Sequence, residues 1–161
     1  MLVERILRNG FTVSPLLEAP WVTKDIFRPD WLHGADLGVS PLLLGNMFWH
    51  AIRERDYLDG STRKERCASL WKMIQAYYVE EDVADRLGSF NVSTIKADKK
   101  GPALACISAA CVRALVPFGR KLAEHMVSVC DTPVTQAMCA AARACTIATR
   151  VYRRALPLQR R

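Results

Sequence analysis

The clearest pattern along the chain is helical spacing of apolar positions. Behind Thr62 and Glu65, the residues Cys67, Leu70, Trp71, Ile74, Tyr77 and Tyr78 fall on one face of a 3.6-residue repeat. Thr62 and Glu65, three apart, fit a capping box in which each side chain bonds the other's backbone N–H. An amphipathic helix is predicted there. Upstream, Ser40 is placed as an N-cap with Pro41 at the first helical position, and 42–56 is apolar over most of its circumference until Arg53. This reads as a central buried helix. Asp59-Gly60 marks the turn between the two.

The remaining elements are predicted from breakers and caps. A short helix is expected over 1–8, an irregular arm over 11–27, and a helical turn from Pro29 to Asp36 that Gly38 can end. The acidic stretch Glu80–Asp85 reads as a turn or short helix ending near Gly88, and 91–97 as another short helix. Pro102 is expected to start a helix through Val116, Pro117 to kink or break it, and a further helix to run from Phe118 to Cys130. The last helix is capped by Asp131 or Thr132 and stopped by Pro157. Val134, Met138, Ala141, Cys145, Ala148 and Tyr152 form its predicted seam. Alternating strand patterns are not evident. The expected fold class is all-α: an irregular bundle of five to seven helices with an irregular N-terminal arm, its core around 42–52, 67–78 and 103–116. The expected organisation is an N-terminal arm over 1–28, a single helical domain over 29–157 and a basic tail over 158–161.

Composition narrows the class. Half of the 161 residues are hydrophobic, enough for a sizeable core. No stretch reaches the roughly 18 unbroken apolar residues of a membrane span, and Glu4, Arg5 and Arg8 interrupt the N-terminus where a secretory signal needs an apolar run. No membrane association is expected. The six cysteines, Cys67, Cys106, Cys111, Cys130, Cys139 and Cys145, form no CxxC pair and read as reduced, core-facing thiols of an intracellular protein.

Charge adds a partner. Residues 1–100 hold 14 basic and 14 acidic side chains, whereas 101–161 hold 9 basic and 2 acidic, Glu124 and Asp131, so the whole net charge of +7 lies in the last third. Such asymmetry points to a polyanion. Arg143, Arg150 and Arg154 project from one face of the last helix, with Arg153, Arg160 and Arg161 extending it and Arg113, Arg120 and Lys121 on the preceding segment. These residues are the candidate contacts to duplex DNA, made through phosphates and without sequence preference. The same basic faces also serve simple solubility. Trp49, His50, Trp71, Tyr77 and Tyr78 have the residue types of base-stacking platforms, but their helical spacing is that of a core. His50 reads as a core histidine and His125 as a helix-surface residue.

One polar constellation remains: Asp30, His33 and Asp36. On a helical turn, positions three apart share a side, and a carboxylate beside an imidazole binds a metal, orients a proton or fixes the ring's tautomer. The bland alternative is an N-cap at Asp30 followed by a packed His33. Asp30-Trp31-Leu32-His33, then Val39, then Leu43-Leu44-Gly45, resembles a motif of CACTA-type (En/Spm-like) DNA transposases: Asp-x-Met-His, a short spacer, Val, then Leu-Leu-Gly. Here the spacer is one residue longer. The stretch from Gly60 to Arg66 is similar to that family's short Lys/Gly/Arg-rich segment, and Leu115-Val116-Pro117 to its Leu-Leu-Pro. The resemblance covers roughly residues 26–152.

That resemblance implies Asp30 and His33 as candidate catalytic residues, Asp30, His33 and Asp36 as candidate metal ligands, a divalent cation such as Mg²⁺ if catalysis occurs, and a nuclear location; without it a cytoplasmic location is expected. The family's catalytic core is an RNase H-like α/β fold with convergent carboxylates around two metals. This sequence lacks the corresponding strands, and Ser108-Ala109-Ala110-Cys111 has no histidine where the family has a Cys-His pair. A detached helical piece would therefore contact DNA through its basic C-terminal face without catalysing on its own, and would require no cofactor. Two other readings stand beside it. One is a non-catalytic helical interaction module for a protein partner or a homo-oligomer. The other is a metal-dependent hydrolase using Asp30, His33 and Asp36.

Overall fold

The computed structural model describes residues 32–98, 101–105 and 107–155, and these belong to one compact unit, Trp31–Arg161. The arm over 1–28 and the tail over 158–161 lie outside the described residues. A π-helix, Leu32–Val39, runs directly into α1 (Ser40–Arg53). Then come α2 (Arg63–Glu80), a 3-10 turn (Val92–Thr94), β1 (Ile95–Asp98), β2 (Gly101–Leu104), α3 (Ala109–Val129) and α4 (Pro133–Ala155). The fold is mainly α, with four α-helices among the described residues where five to seven helices were expected of the chain. The strands form a two-stranded antiparallel hairpin, with Ile95 opposite Leu104 and Asp98 opposite Gly101.

Helix α1 is the hub. Leu44, Met47, Phe48, Ala51 and Ile52 are almost fully buried and meet Leu70 and Ile74 of α2 and Leu115, Phe118, Leu122 and Met126 of α3 in one core. Phe48 stands edge-on to Phe90 and Phe118, the geometry in which aromatic quadrupoles attract. Close approach is set by glycine. A Cβ on Gly45 would lie 2.6 Å from the backbone carbon and 2.8 Å from the backbone nitrogen of Ala103, so β2 rests directly on the backbone of α1. Asn46 holds it there, its Nδ2 donating to Leu42 O at 2.8 Å and to Pro102 O at 2.9 Å.

Helix α2 forms as its sequence specifies. Thr62 accepts from the Glu65 backbone N–H, and the Glu65 carboxylate accepts from Ser61 and Thr62 in return. These bonds hold the Glu65 carboxyl below its ordinary range, Ser61 contributing most. Arg66 is buried and clamps the α1–α2 loop. Its Nε donates to Ile52 O at 2.7 Å, a carbonyl that the end of α1 leaves open, and its Nη1 to Gly60 O in the loop at 3.0 Å.

Several expectations are corrected. Pro102 lies in β2 and does not begin a helix; α3 starts at Ala109, capped by Ser108 Oγ accepting from Cys111 N. Residues 95–98 are strand, not helix. Pro117 does not end α3, which runs through it. Proline removes the donor for the Arg113 carbonyl, and the Tyr77 hydroxyl braces that weakened turn by donating to the neighbouring Ala114 O at 3.1 Å. Ser40 does not cap α1: Val39 stands at the N-cap in α-helical geometry without a side-chain bond. Ser40 is buried instead, its Oγ 3.5 Å from Cys145 Sγ.

The seam of α4 is also rotated from the expected one. Val134, Ala141 and Ala148 are exposed, and the buried side is Thr135, Cys139, Ala142, Thr146 and Thr149. The threonines enter the core because each hydroxyl finds a local carbonyl: Thr135 on Cys130 O, Thr146 on Ala142 O and Thr149 on Cys145 O, at 2.8–2.9 Å. With the hydroxyl satisfied, threonine packs as a β-branched hydrophobe.

Candidate functional site

The Asp30–His33–Asp36 constellation falls at the start of the described residues, with Asp30 outside them. His33 and Asp36 lie in the π-helix, whose wider winding turns positions three apart further from each other than an α-helix would. Gly38 permits that winding, since a Cβ there would come within 2.8 Å of the His33 carbonyl oxygen. His33 is exposed, whereas Asp36 is 1% exposed. The Asp36 carboxylate is gripped from α3: Arg113 Nε donates to Oδ2 at 2.8 Å, and Arg113 Nη2 lies 2.6 Å from the same oxygen. This charge-assisted contact ties the π-helix to the N-terminal part of α3. Among the described residues, no three His, Cys, Asp or Glu side chains converge as a metal-holding group.

The basic residues are distributed differently from the sequence's charge blocks. Arg113 is held by Asp36. Arg120 and Arg143 share Glu124, at 3.4 and 3.3 Å. Lys121 Nζ reaches Glu81 at 2.8 Å and Glu80 at 3.2 Å while lying over the Tyr77 ring; Glu81 and then Glu80 hold its ammonium above the usual lysine range. Arg150 borders a cleft of about 370 Å³ whose other walls include Glu81, Asp82, Asp85, Tyr77 and Pro117. The acidic 80–85 stretch is thus folded against the basic third of the chain. Arg143, Arg150 and Arg154 are exposed, and at about 100° per residue they lie on one side of α4. Arg160 and Arg161 are outside the described residues, as is the side chain of Arg153.

Beside the arginine row lies a surface that sequence reasoning placed on the wrong side of the helix. Val134, Ala140, Ala144, Ile147, Ala148 and Val151 are exposed, as are Ala137 and Ala141, and Val134, Ile147 and Val151 are 50%, 61% and 61% accessible. Together they span about 140° of the helix circumference without one polar side chain. Helix α4 therefore has three sides: a threonine-lined side on the core, an arginine row, and a bare Ala/Val/Ile ridge. The signal in the sequence was the alanine run 137–148, which fits exposure as well as burial once the threonines take the core.

The aromatic residues are core elements. Tyr77 and Tyr78 are buried, and Trp71 stacks on Phe90 with centroids 6.4 Å apart. Trp49 carries Arg63 over its ring at 5.6 Å. His50 stands 5.5 Å from the Tyr57 ring with its Nε2 buried and without a hydrogen-bond partner, and burial pulls its pKa below the ordinary histidine value. His125 Nε2 lies 3.2 Å from Tyr57 O, so it pins the α1–α2 loop. Among the described cysteines, Cys67 and Cys139 are buried, and Cys111, Cys130 and Cys145 are half-buried, all as free thiols.

No protein-family model, curated protein or solved structure matches the chain. No helix among the described residues is long and apolar enough to cross a membrane.

Proposed function

We propose that this chain is a non-catalytic helical docking module that works through the exposed side of α4. The observation that carries this reading is the polar-free ridge of α4, left open beside an arginine row. Contiguous apolar surface of this kind marks an interaction site more often than an ordinary solvated face. The test is selection of helical peptides from a displayed library against the full chain. Peptides with apolar anchors at i, i+3, i+4 and i+7 are expected, and their binding should be lost when Ala144→Gln and Ala148→Gln place bulky amides on the ridge. Enrichment indifferent to these substitutions removes α4 from the reading.

A second reading, contact with duplex DNA, is favoured by the exposure of Arg143, Arg150 and Arg154 on one side of α4. The resemblance of the Asp30 to Gly45 segment to CACTA-type transposases supports a transposon-derived origin and, with it, a nuclear location. Labelled duplex should then bind at low salt, and Arg143→Ala/Arg150→Ala/Arg154→Ala should weaken it. An unchanged affinity in the triple variant excludes this face. For the hydrolase reading, Asp36 would have to exchange its contact with Arg113 for a metal.

A further inference from the structure

The order of the three sides of α4 constrains what can lie on it. The arginine row borders the apolar ridge along one edge, with Arg154 next to Ile147 in projection and Arg143 and Arg150 behind it. The opposite border is formed by Met138, Cys145 and Tyr152, which are half-buried and uncharged. The ridge itself is mostly alanine, so a second helix can approach to the short end of the 8–10 Å range of interaxial distances. Its apolar face then meets Val134, Ile147 and Val151 as the raised points. From Pro133 to Ala155 α4 carries no acidic residue of its own; Arg143 meets Glu124 of α3 at 3.3 Å, and Arg150 borders the acidic 80–85 wall.

We propose that the occupant is an acidic amphipathic helix of another protein, its apolar face on the ridge and a row of Asp or Glu along one edge meeting Arg143, Arg150 and Arg154. This rests on the docking reading above and adds the partner's chemistry. A second copy of this chain fits less well. Two α4 helices packed ridge to ridge in antiparallel fashion bring both arginine rows to the same edge, where like charges repel. Packed parallel, they align their dipoles unfavourably. An acidic edge removes both objections. Exposed pairs of this kind add little affinity individually, so the arginines fix the direction and register of the partner while the ridge supplies most of the burial.

The experiment uses the full chain and two labelled synthetic helices of equal length and identical apolar face. One carries Glu along a single edge, the other Gln at the same positions. Fluorescence anisotropy is expected to show the Glu helix binding about tenfold tighter at low salt, which is three weak ion pairs' worth, with the difference shrinking as salt rises. Arg143→Gln/Arg150→Gln/Arg154→Gln should erase the difference between the helices. Ala144→Gln/Ala148→Gln should abolish binding of both, with circular dichroism confirming that the exposed substitutions leave the fold intact. Equal binding of both helices overturns the acidic partner and leaves the docking reading standing. Binding of neither overturns both. A dimer in sedimentation that dissolves on Ala144→Gln/Ala148→Gln makes a second copy the occupant and overturns the proposal, as does displacement of the Glu helix by duplex DNA but not by polyglutamate.

Discussion

Replacing Gly45 with alanine tests the central packing claim, that the hairpin rests on the backbone of α1. Left to helix propensity, Gly45→Ala in the interior of α1 would stabilise the protein by about 1 kcal/mol. The structure reverses the sign. The new methyl would sit 2.6 Å from Ala103 C and 2.8 Å from Ala103 N, and a backbone cannot rotate away as a side-chain tip can. Overpacking costs about 1–3 kcal/mol, and the rigid obstacle places this site at the upper end, so a net loss of about 2 kcal/mol is expected. Gly119→Ala in α3 is the internal control. Its methyl would meet the Cδ2 of Leu44 at 2.5 Å, a side-chain end that can shift, so propensity and crowding should cancel to within about 1 kcal/mol. Urea unfolding followed by circular dichroism measures both. Pushing the hairpin off α1 also breaks the bond from Asn46 to Pro102, so Gly45→Ala should cost less in an Asn46→Ala background than alone. A Gly45→Ala variant as stable as the parent, or a Gly119→Ala variant that loses more, would refute the backbone contact.

Two further substitutions follow from the charged interior. Arg113→Met leaves the Asp36 carboxylate buried without its guanidinium. Breaking a fully buried pair costs about 3–5 kcal/mol, and because Arg113 is 30% exposed the expected loss is smaller, about 2–3 kcal/mol, with Asp36→Asn restoring part of it in the double variant. Burial holds His50 neutral by lowering its pKa, against the opposing pull of Glu54, whereas the unfolded chain protonates near pH 6.5. The unfolded state therefore takes up the proton first as pH falls. The stability from His50 is full above 6.5 and is lost as pH falls below it, so melting temperature should drop as the solution is acidified through 6.5, and less steeply in His50→Gln. Identical pH profiles would contradict this placement of His50.

Local signals survived folding and long-range ones did not appear in the sequence at all. The Thr62–Glu65 capping box and the buried face of α2 were legible because each depends on residues within one or two turns. The hairpin was not. Ile95-Lys96-Ala97-Asp98 and Gly101-Pro102-Ala103-Leu104 lack the alternation of a strand pair, and its position depends on a glycine and an asparagine more than fifty residues away. Proline chemistry alone made Pro102 a helix start and Pro117 a kink or break; in the fold Pro102 lies in the hairpin with its carbonyl accepting from Asn46, and α3 runs through Pro117 with the Tyr77 hydroxyl on the neighbouring Ala114 O. The seam of α4 was placed from apolar spacing, which does not show that Thr135, Thr146 and Thr149 can enter the core with their hydroxyls on the carbonyls of Cys130, Ala142 and Cys145. The pairing of Asp36 with Arg113 spans 77 residues and leaves no trace in spacing.

The charge blocks of the sequence show how a one-dimensional pattern can mislead about a partner, and they yield a numerical test. The last 61 residues carry the entire net charge, yet Arg113, Arg120, Lys121 and Arg143 each meet a carboxylate in the fold, and Arg150 borders the acidic 80–85 wall. A phosphate backbone reaching this surface would find at most the row on α4. If DNA binding occurs through Arg143, Arg150 and Arg154 alone, the logarithm of affinity should fall against the logarithm of salt with a slope of about −0.9 per neutralised phosphate, or roughly −3. Had Arg153, Arg113, Arg120 and Lys121 joined these three, the slope would be about −6. The two values are readily separated by anisotropy titrations of a labelled duplex. A slope near −6 would mean that Arg113, Arg120 and Lys121 leave Asp36, Glu124 and Glu80/Glu81 for phosphate. The paired arrangement would then describe only the free protein, and the DNA reading would displace the docking one.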